Sequence, residues 1–272
     1  MIKFPNAKIN LGLSVVAKRN DGYHDLETIF YPVGIKDALE VVPNDNNTCN
    51  LHISGIQVDG NPESNLVVKA YRLLQERFQL PGVDIYLHKQ IPFGAGMGGG
   101  SADAAFMIQM LRDLFSLPLS DEEVEHTAAR LGADCPFFCR NVPVYAEGTG
   151  NIFSPVSVSL KGYRLVVVKP PKGVSTKDAF GKIVPQQPLL SVKEIVGRPV
   201  EEWRGLLRND FETTVFPLYP EIKAIKDRLY ESGAIYASMS GSGSSVFGIF
   251  REEPSLGDAF PGCFIWQGIC EI

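Results

Sequence analysis

The sequence predicts an α+β chain in two lobes, with a boundary near residue 155 that divides it into 1–155 and 156–272. Two kinds of apolar patterning carry this. Residues 8–15, 83–91 and 163–170 have strand character, and 65–78, 101–115 and 220–232 repeat their apolar residues at helical spacing. The third observation is size. A chain of 272 residues, 44% hydrophobic and 21% charged, has ordinary globular composition and fits one large domain or two modest ones.

Charge narrows the possible partners. The net charge of −5 and pI near 5.5 make no global case for nucleic acid or an anionic membrane, so positive charge for an anionic substrate has to be local. The N-terminal residues lack the apolar core of a signal peptide, and no apolar run approaches the ~18 residues that span a bilayer. The five cysteines (49, 135, 139, 263, 270) are odd in number and scattered, which reads as reduced thiols in the cytoplasm. Cys135 and Cys139 have no matching second pair, so a zinc site is not expected.

In chain order, Lys8 to Val15 alternates strictly. Ile9, Leu11, Leu13 and Val15 share one face, while Lys8, Asn10 and Ser14 share the other, as in a half-buried strand. Lys8 and Asn10 thus project the same way, about 7 Å apart along the strand. A solvated face would give the same pattern. Asn20 to His24 reads as a turn, with strand resuming at Leu26–Tyr31. Tyr23 and His24, an aromatic beside an imidazole, could hold a planar base or be ordinary loop residues. Strands follow at 39–42 and 49–53. A helix over 65–78, capped by Ser64 or Asn65, is expected to bury Leu66, Ala70, Leu73 or Leu74, and Phe78.

The next helix, from Ser101 as candidate cap to Phe115, is expected to bury a stripe of Ala104, Ile108, Leu111 and Phe115, with Met107 beside it. Asp103 is expected in its first turn, pointing aside from any bound anion. Ser120-Asp-Glu-Glu123 is a capping box. The following Gly132-Ala-Asp134-Cys-Pro136 leaves Asp134 open between a helix cap and a chemical group. The second half offers a central strand at 163–170, short helices at 175–183, 191–197 and 200–207, a helix at 220–232 and a last strand at 264–266. Its glycine element, Ser240-Gly-Ser-Gly243, lies between apolar runs and reads as a tight turn.

The stretch that organises the chain is Ile91-Pro-Phe-Gly-Ala-Gly-Met-Gly-Gly-Gly-Ser101, with five glycines between 94 and 100. It joins a strand-like run to a helix. Glycine permits close approach of a ligand to the backbone, and a helix N-terminus supplies N–H donors and positive dipole charge. This is an anion cradle suited to nucleotide phosphates. The spacing Gly94-x-Gly96-x-x-Gly99 matches the dinucleotide fingerprint, but the stretch lies too far into the chain and no strand-end acid follows. A Walker A loop needs Lys where Gly100 stands, and protein-kinase signatures are missing downstream.

These motifs resemble the small-molecule kinases that include galactokinase, homoserine kinase, mevalonate kinase and phosphomevalonate kinase. Pro92-x-x-x-Gly96-Met-Gly-Gly-Gly-Ser101 resembles their phosphate loop, Pro5 to Leu13 their N-terminal motif and Met239 to Phe247 their C-terminal glycine motif. Asp21-Gly-Tyr-His24, Gly132 to Pro136 and Asn209-Asp-Phe-Glu212 narrow the resemblance to the branch acting on a methylerythritol that carries cytidine diphosphate, in the non-mevalonate isoprenoid pathway. The resemblance implies an N-terminal lobe like ribosomal protein S5 domain 2, a C-terminal ferredoxin-like lobe, a site in the cleft between them, and ATP-dependent phosphorylation of the substrate's 2-hydroxyl.

It further implies Lys8 and Asp134 as the catalytic pair, with Asn10 holding the substrate beside Lys8. Tyr23 and His24 match the cytosine site, stacking and edge-bonding respectively, and Phe180 is the candidate second stacking face. Gly241 and Ser242 belong with the substrate diphosphate and transferring phosphate. Asn65, Lys89, Pro92, Gly94, Gly96, Met97, Gly98, Gly99, Gly100 and Ser101 are the candidate ATP contacts. Mg2+ is expected with ATP. The extra Gly100 displaces the serine that ligates it in many relatives, leaving its protein ligands open. A monomer or homodimer fits equally. The rival reading, a kinase of mevalonate- or homoserine-like alcohols, leaves Tyr23-His24 with no base to hold.

Overall fold

A computed structural model describes residues 1–57 and 61–272. The first half of the chain runs β1 (Ile2–Lys3), β2 (Asn6–Lys18), β3 (His24–Lys36), β4 (Ala38–Asn44), β5 (Cys49–Gly55), α1 (Leu66–Phe78), β6 (Gly82–Lys89), α2 (Gly99–Leu114), α3 (Asp121–Ala129), α4 (Cys135–Arg140), β7 (Val144–Glu147) and β8 (Ile152–Pro155). The second half runs β9 (Arg164–Lys169), α5 (Thr176–Phe180), α6 (Val192–Val196), α7 (Glu212–Leu218), α8 (Pro220–Glu231), β10 (Tyr236–Met239), β11 (Val246–Phe250) and β12 (Phe264–Ile269). No helix among the described residues is long and apolar enough to cross a membrane. The chain forms two compact units, each assembled from several segments.

The first unit comprises 1–7, 35–93 and 98–142. Its sheet has the order β1-β4-β6-β5, with β5 parallel to β6 and the other pairs antiparallel. Leu39, Val41, Ile85 and Leu87 of the sheet share a core with Val67, Tyr71 and Leu74 of α1 and Ala104, Ile108 and Leu111 of α2. The buried face of α1 includes Ala70 and Leu74 as expected, but its edges differ from the predicted stripe. Val67, Val68 and Tyr71 are buried, while Leu66 and Phe78 at the helix ends are only partly covered. The capping box of Ser120 and Glu123 opens α3 as expected.

The second unit comprises 8–34, 94–97 and 143–272. One of its sheets has the order β2-β3-β7-β8 and the other β10-β11-β9-β12, the latter antiparallel throughout. Val166, Val168, Ala237 and Met239 pack with Phe211 and Val215 beside α7 and with Ile222, Ile225 and Leu229 of α8. α8 starts on Pro220, and Gly233 follows its end. The α+β class is therefore as the sequence predicts.

Local patterning misses several features, among them α4, α7 and the burial of β2. α7 is not foreseen, because its two threonines and Pro217 are poor helix formers. Tertiary burial of Val215 and Thr214 decides it. β2 is not half-buried but buried on both faces from Asn6 to Val15. Its alternation separates apolar from polar partners rather than core from water.

Candidate active site

Within the second unit, β2 delivers Lys8 and Asn10 side by side, 3% and 2% exposed. Lys8 Nζ donates to Asn10 Oδ1 at 2.7 Å and stands 4.7 Å from the centroid of the Phe30 ring. Asn10 Nδ2 donates to Thr28 Oγ1 at 3.0 Å, and Thr28 Oγ1 donates to the Gly12 carbonyl at 2.5 Å. The solvated-face reading of Lys8 is thus excluded. Thr28, to which sequence reasoning assigned no role, fixes the amide orientation of Asn10.

Both glycine elements contribute to this unit. The Lys8 N–H donates to the Met97 carbonyl at 3.0 Å. Ser240 Oγ accepts from the Asn10 N–H at 3.2 Å and donates to the Gly96 carbonyl at 2.9 Å. Gly96 has φ +71°, and a Cβ there would lie 2.0 Å from the Ser240 carbonyl oxygen. Only glycine fits. Gly241 is buried and Ser242 half-buried in the same turn.

At the β2–β3 turn, Tyr23 is 66% exposed. His24 stacks on Phe180 with ring centroids 5.0 Å apart and planes 28° from parallel. Phe180 meets Phe211 edge-on at 4.7 Å. The structure therefore brings Phe180 to the Tyr23-His24 turn from a point far along the chain.

In the first unit, Gly98 caps α2 in the left-handed conformation (φ +69°) with no side-chain cap. Gly99, Gly100 and Ser101 open the helix ahead of its first backbone bond, Ala102 N–H to the Gly98 carbonyl at 2.9 Å. Their N–H groups form the anion cradle expected of a helix N-terminus. Ser101 is inside the first turn, so it is not the cap. Its hydroxyl contacts the Cys135 thiol, which burial pushes up to about 11. Pro92 is buried, Phe93 is exposed, and in the second unit's share of the loop Met97 is buried while Gly94 is exposed.

Asp103 lies beyond the first turn, not in it, and is 2% exposed. It accepts from Lys89 Nζ at 2.7 Å. Lys89 also pairs with Asp37, whose other carboxylate oxygen accepts from the N–H groups of Gln90 at 2.6 Å and Ile91 at 2.8 Å. Lys89 was expected to touch the nucleotide. In the structure it is buried and held by two carboxylates, with Nζ 3.5 Å from where a Cβ on Gly99 would stand. Asp37, which no local signal marks, anchors the chain as it leaves β6. Asn65 caps α1 through Oδ1, bonded to the Val67 N–H at 3.0 Å, which leaves its amide NH2 as a donor. Asp134 is half-buried just before α4, and its side chain makes no capping bond. Of the two readings the sequence left open, the cap is excluded.

Residues 65–141 match the GHMP kinases N terminal domain and 191–260 the GHMP kinases C terminal domain. The chain is 61% identical over 258 residues to the 4-diphosphocytidyl-2-C-methyl-D-erythritol kinase of Bacteroides fragilis, covering 94% of each chain. It is 55% identical to the Parabacteroides distasonis enzyme of the same name, over 98% of this chain and 99% of that one. The chain belongs to this GHMP kinase family. A crystal structure of 4-(cytidine 5'-diphospho)-2C-methyl-D-erythritol kinase, 36% identical, superposes with a TM-score of 0.78 over 92% of this chain and 90% of that one. Mevalonate kinase of Methanococcus jannaschii shares the fold, with a TM-score of 0.74 at 14% identity over 99% of this chain and 98% of that one.

Proposed function

We infer that this kinase transfers the γ-phosphoryl group of ATP to the 2-hydroxyl of 4-diphosphocytidyl-2-C-methyl-D-erythritol, releasing ADP and the 2-phosphate. What carries the substrate assignment is the identity to kinases of that name over nearly the whole chain. We divide the chain by role near residue 155: 1–155 carries the ATP loop and 156–272 the ferredoxin-like lobe.

A tertiary hydroxyl is a poor nucleophile at neutral pH, so positioning and charge stabilisation carry much of the rate. Asp134 accepts or orients the hydroxyl proton. Lys8, oriented by Asn10, neutralises charge on the attacking oxygen and the transferring phosphoryl. Tyr23 and Phe180 stack on cytosine and His24 bonds its edge. Gly241 and Ser242 lie along the phosphates of the substrate. Gly94, Gly96, Met97 and Gly98–Ser101 wrap the ATP phosphates, with Pro92 stiffening the approach and Asn65 donating to the nucleotide. Lys89 supports the loop from behind.

Among the described residues no three His, Cys, Asp or Glu side chains are grouped to hold a metal. Asp103 of α2 accepts from Lys89. The opening of α2 would suit an Mg2+ that arrives with ATP, for which Ser101 in its first turn would offer a hydroxyl. When bound, it neutralises phosphate charge. Cys49, Cys135, Cys139, Cys263 and Cys270 are unbridged thiols, which suits a reducing cytoplasm.

The deciding experiment is phosphoryl transfer with ATP and the cytidyl substrate, with phosphorus and carbon NMR locating the new phosphate. Transfer to the 2-hydroxyl, with no turnover of homoserine or mevalonate, is expected. Turnover of either smaller alcohol in place of the cytidyl substrate overturns the assignment.

A further inference from the structure

The motif Asn209-Asp-Phe-Glu212 has no part in the mechanism above, yet Asn209 is 2% exposed and its amide makes three hydrogen bonds to the backbone around it. Its Nδ2 donates to the Met239 carbonyl and to the Gly241 carbonyl, both at 2.8 Å, and its Oδ1 accepts from the Phe211 N–H at 3.0 Å. The two carbonyls flank Ser240. One amide therefore fixes the peptide orientation on both sides of the serine that joins Asn10 to Gly96. Glu212 holds the same turn from its other end. Oε1 accepts from the Met239 N–H at 2.9 Å and from Ser238 Oγ at 3.1 Å, while Oε2 pairs with Lys226 at 2.5 Å.

The motif is also tied to the strand that carries Lys8 and Asn10. Leu13 and Asn209 form a parallel bridge. The Leu13 N–H donates to the Arg208 carbonyl, and the Asp210 N–H donates to the Leu13 carbonyl, both at 2.8 Å. Asp210 Oδ2 accepts from the Val15 N–H at 2.8 Å. A shift of the 240–243 turn relative to β2 would break these bonds together. Buried, fully satisfied networks of this kind specify one backbone arrangement.

We propose that Asn209, seconded by Glu212, is a positioning residue for phosphoryl transfer: it sets the 240–243 turn in register with β2 so that Ser240 and the N–H groups after it meet the phosphate correctly. This rests on the reading of that turn as part of the substrate site. Asn209→Asp keeps the size and the Phe211 acceptor but faces two carbonyls with an acceptor in place of a donor. A displacement of about 1 Å in such a site costs on the order of 10²-fold in rate.

The test measures kcat, both KM values, CDP binding by calorimetry and the melting temperature for Asn209→Asp, Glu212→Ala, Glu212→Gln and Gly241→Ala. Asn209→Asp is expected to stay folded, to bind CDP within about twofold of the parent and to lose on the order of 10²-fold in kcat. Glu212→Ala is expected to lose kcat, and Glu212→Gln, which retains the acceptor for Met239, to recover most of it. If Asn209→Asp does not fold, the Glu212 pair decides by the same criterion. Unchanged kcat per folded molecule in Asn209→Asp overturns the inference, as does equal loss in both Glu212 variants. Where Gly241→Ala alone is impaired, the inference fails and the reading of the turn stands. Where Gly241→Ala is unaffected, the reading fails and takes the inference with it.

Discussion

Lys89 Nζ and Asp103 meet at 2.7 Å where the end of β6 lies against α2, at 5% and 2% exposure, with Asp37 on the other side of the ammonium. Burial pushes the Asp103 carboxyl up from 3.8 to about 7, against the pull of Lys89 and with the help of Asp37. Burial works against the Lys89 charge as well, but Asp103 and Asp37 outweigh it and hold the ammonium above its usual value. Two buried carboxylates around one cation favour retaining a proton.

A carboxyl raised in the folded state keeps a proton that the unfolded chain has already released. Its contribution to stability is therefore present below about pH 4 and declines as pH rises towards about 7. Urea unfolding of Asp103→Asn is expected to lack that part of the slope seen in the parent. An unchanged slope would show that Asp103 does not titrate there. Lys89→Met, which leaves two buried carboxylates uncompensated, should cost about 3–5 kcal/mol at neutral pH.

Lys8→Ala should lower kcat by on the order of 10²–10³-fold, as expected for removing a donor aimed at developing charge. CDP affinity measured by calorimetry should hold, since Lys8 lies with Asn10 and Phe30 and not at the Tyr23-His24 turn. Equal losses in CDP affinity and kcat would instead make Lys8 a general support of the unit.

Removing one aromatic face from a base costs about 1–3 kcal/mol. Tyr23→Ala and Phe180→Ala should each raise KM for the cytidyl substrate by roughly 5- to 100-fold and leave KM for ATP unchanged. Phe180→Ala also releases His24 from its stack. A change in KM for ATP of equal size would place these rings elsewhere in the reaction.

Gly96→Ala puts a methyl group 2.0 Å from a backbone oxygen at φ +71°. The neighbour is main chain and cannot swing away. Activity should be lost, and thermal melting should fall by several degrees. Gly94→Ala is the comparison, because nothing stands within 4 Å of its Cβ and only the φ of +61° opposes it. Equal tolerance of both would refute the close approach at Gly96.

Much of the site was legible because its chemistry is local. A strand entering a glycine run that opens a helix is an anion cradle on any scaffold, and the Lys8-x-Asn10 spacing puts both side chains on one face. The position of Lys89 next to the loop is a sequence fact, whereas its two carboxylate partners, Asp37 and Asp103, are visible only in the fold. Ser101 looked like a cap because serine often is one, but the backbone takes its left-handed turn at Gly98 and leaves Ser101 inside the helix. Thr28 gave no local signal, and Asn209 stood out only through its motif, because the bonds of Thr28 to Asn10 and Gly12 and of Asn209 to Met239 and Gly241 are made by the fold.

The sequence alone determined the α+β class, the glycine loop with its helix, the turn carrying Tyr23 and His24, and the kinase family, since these rest on periodicity, backbone freedom and motif order. Tertiary structure decided that β2 is buried on both faces, that Phe180 meets His24, that Asp134 does not cap its helix, and that Asn209 grips the 240–243 turn. The reason is range. Hydrogen bonds between neighbours leave a pattern in residue spacing, whereas burial and pairing between segments far apart in the chain depend on how the sheets and helices pack, which no local window records.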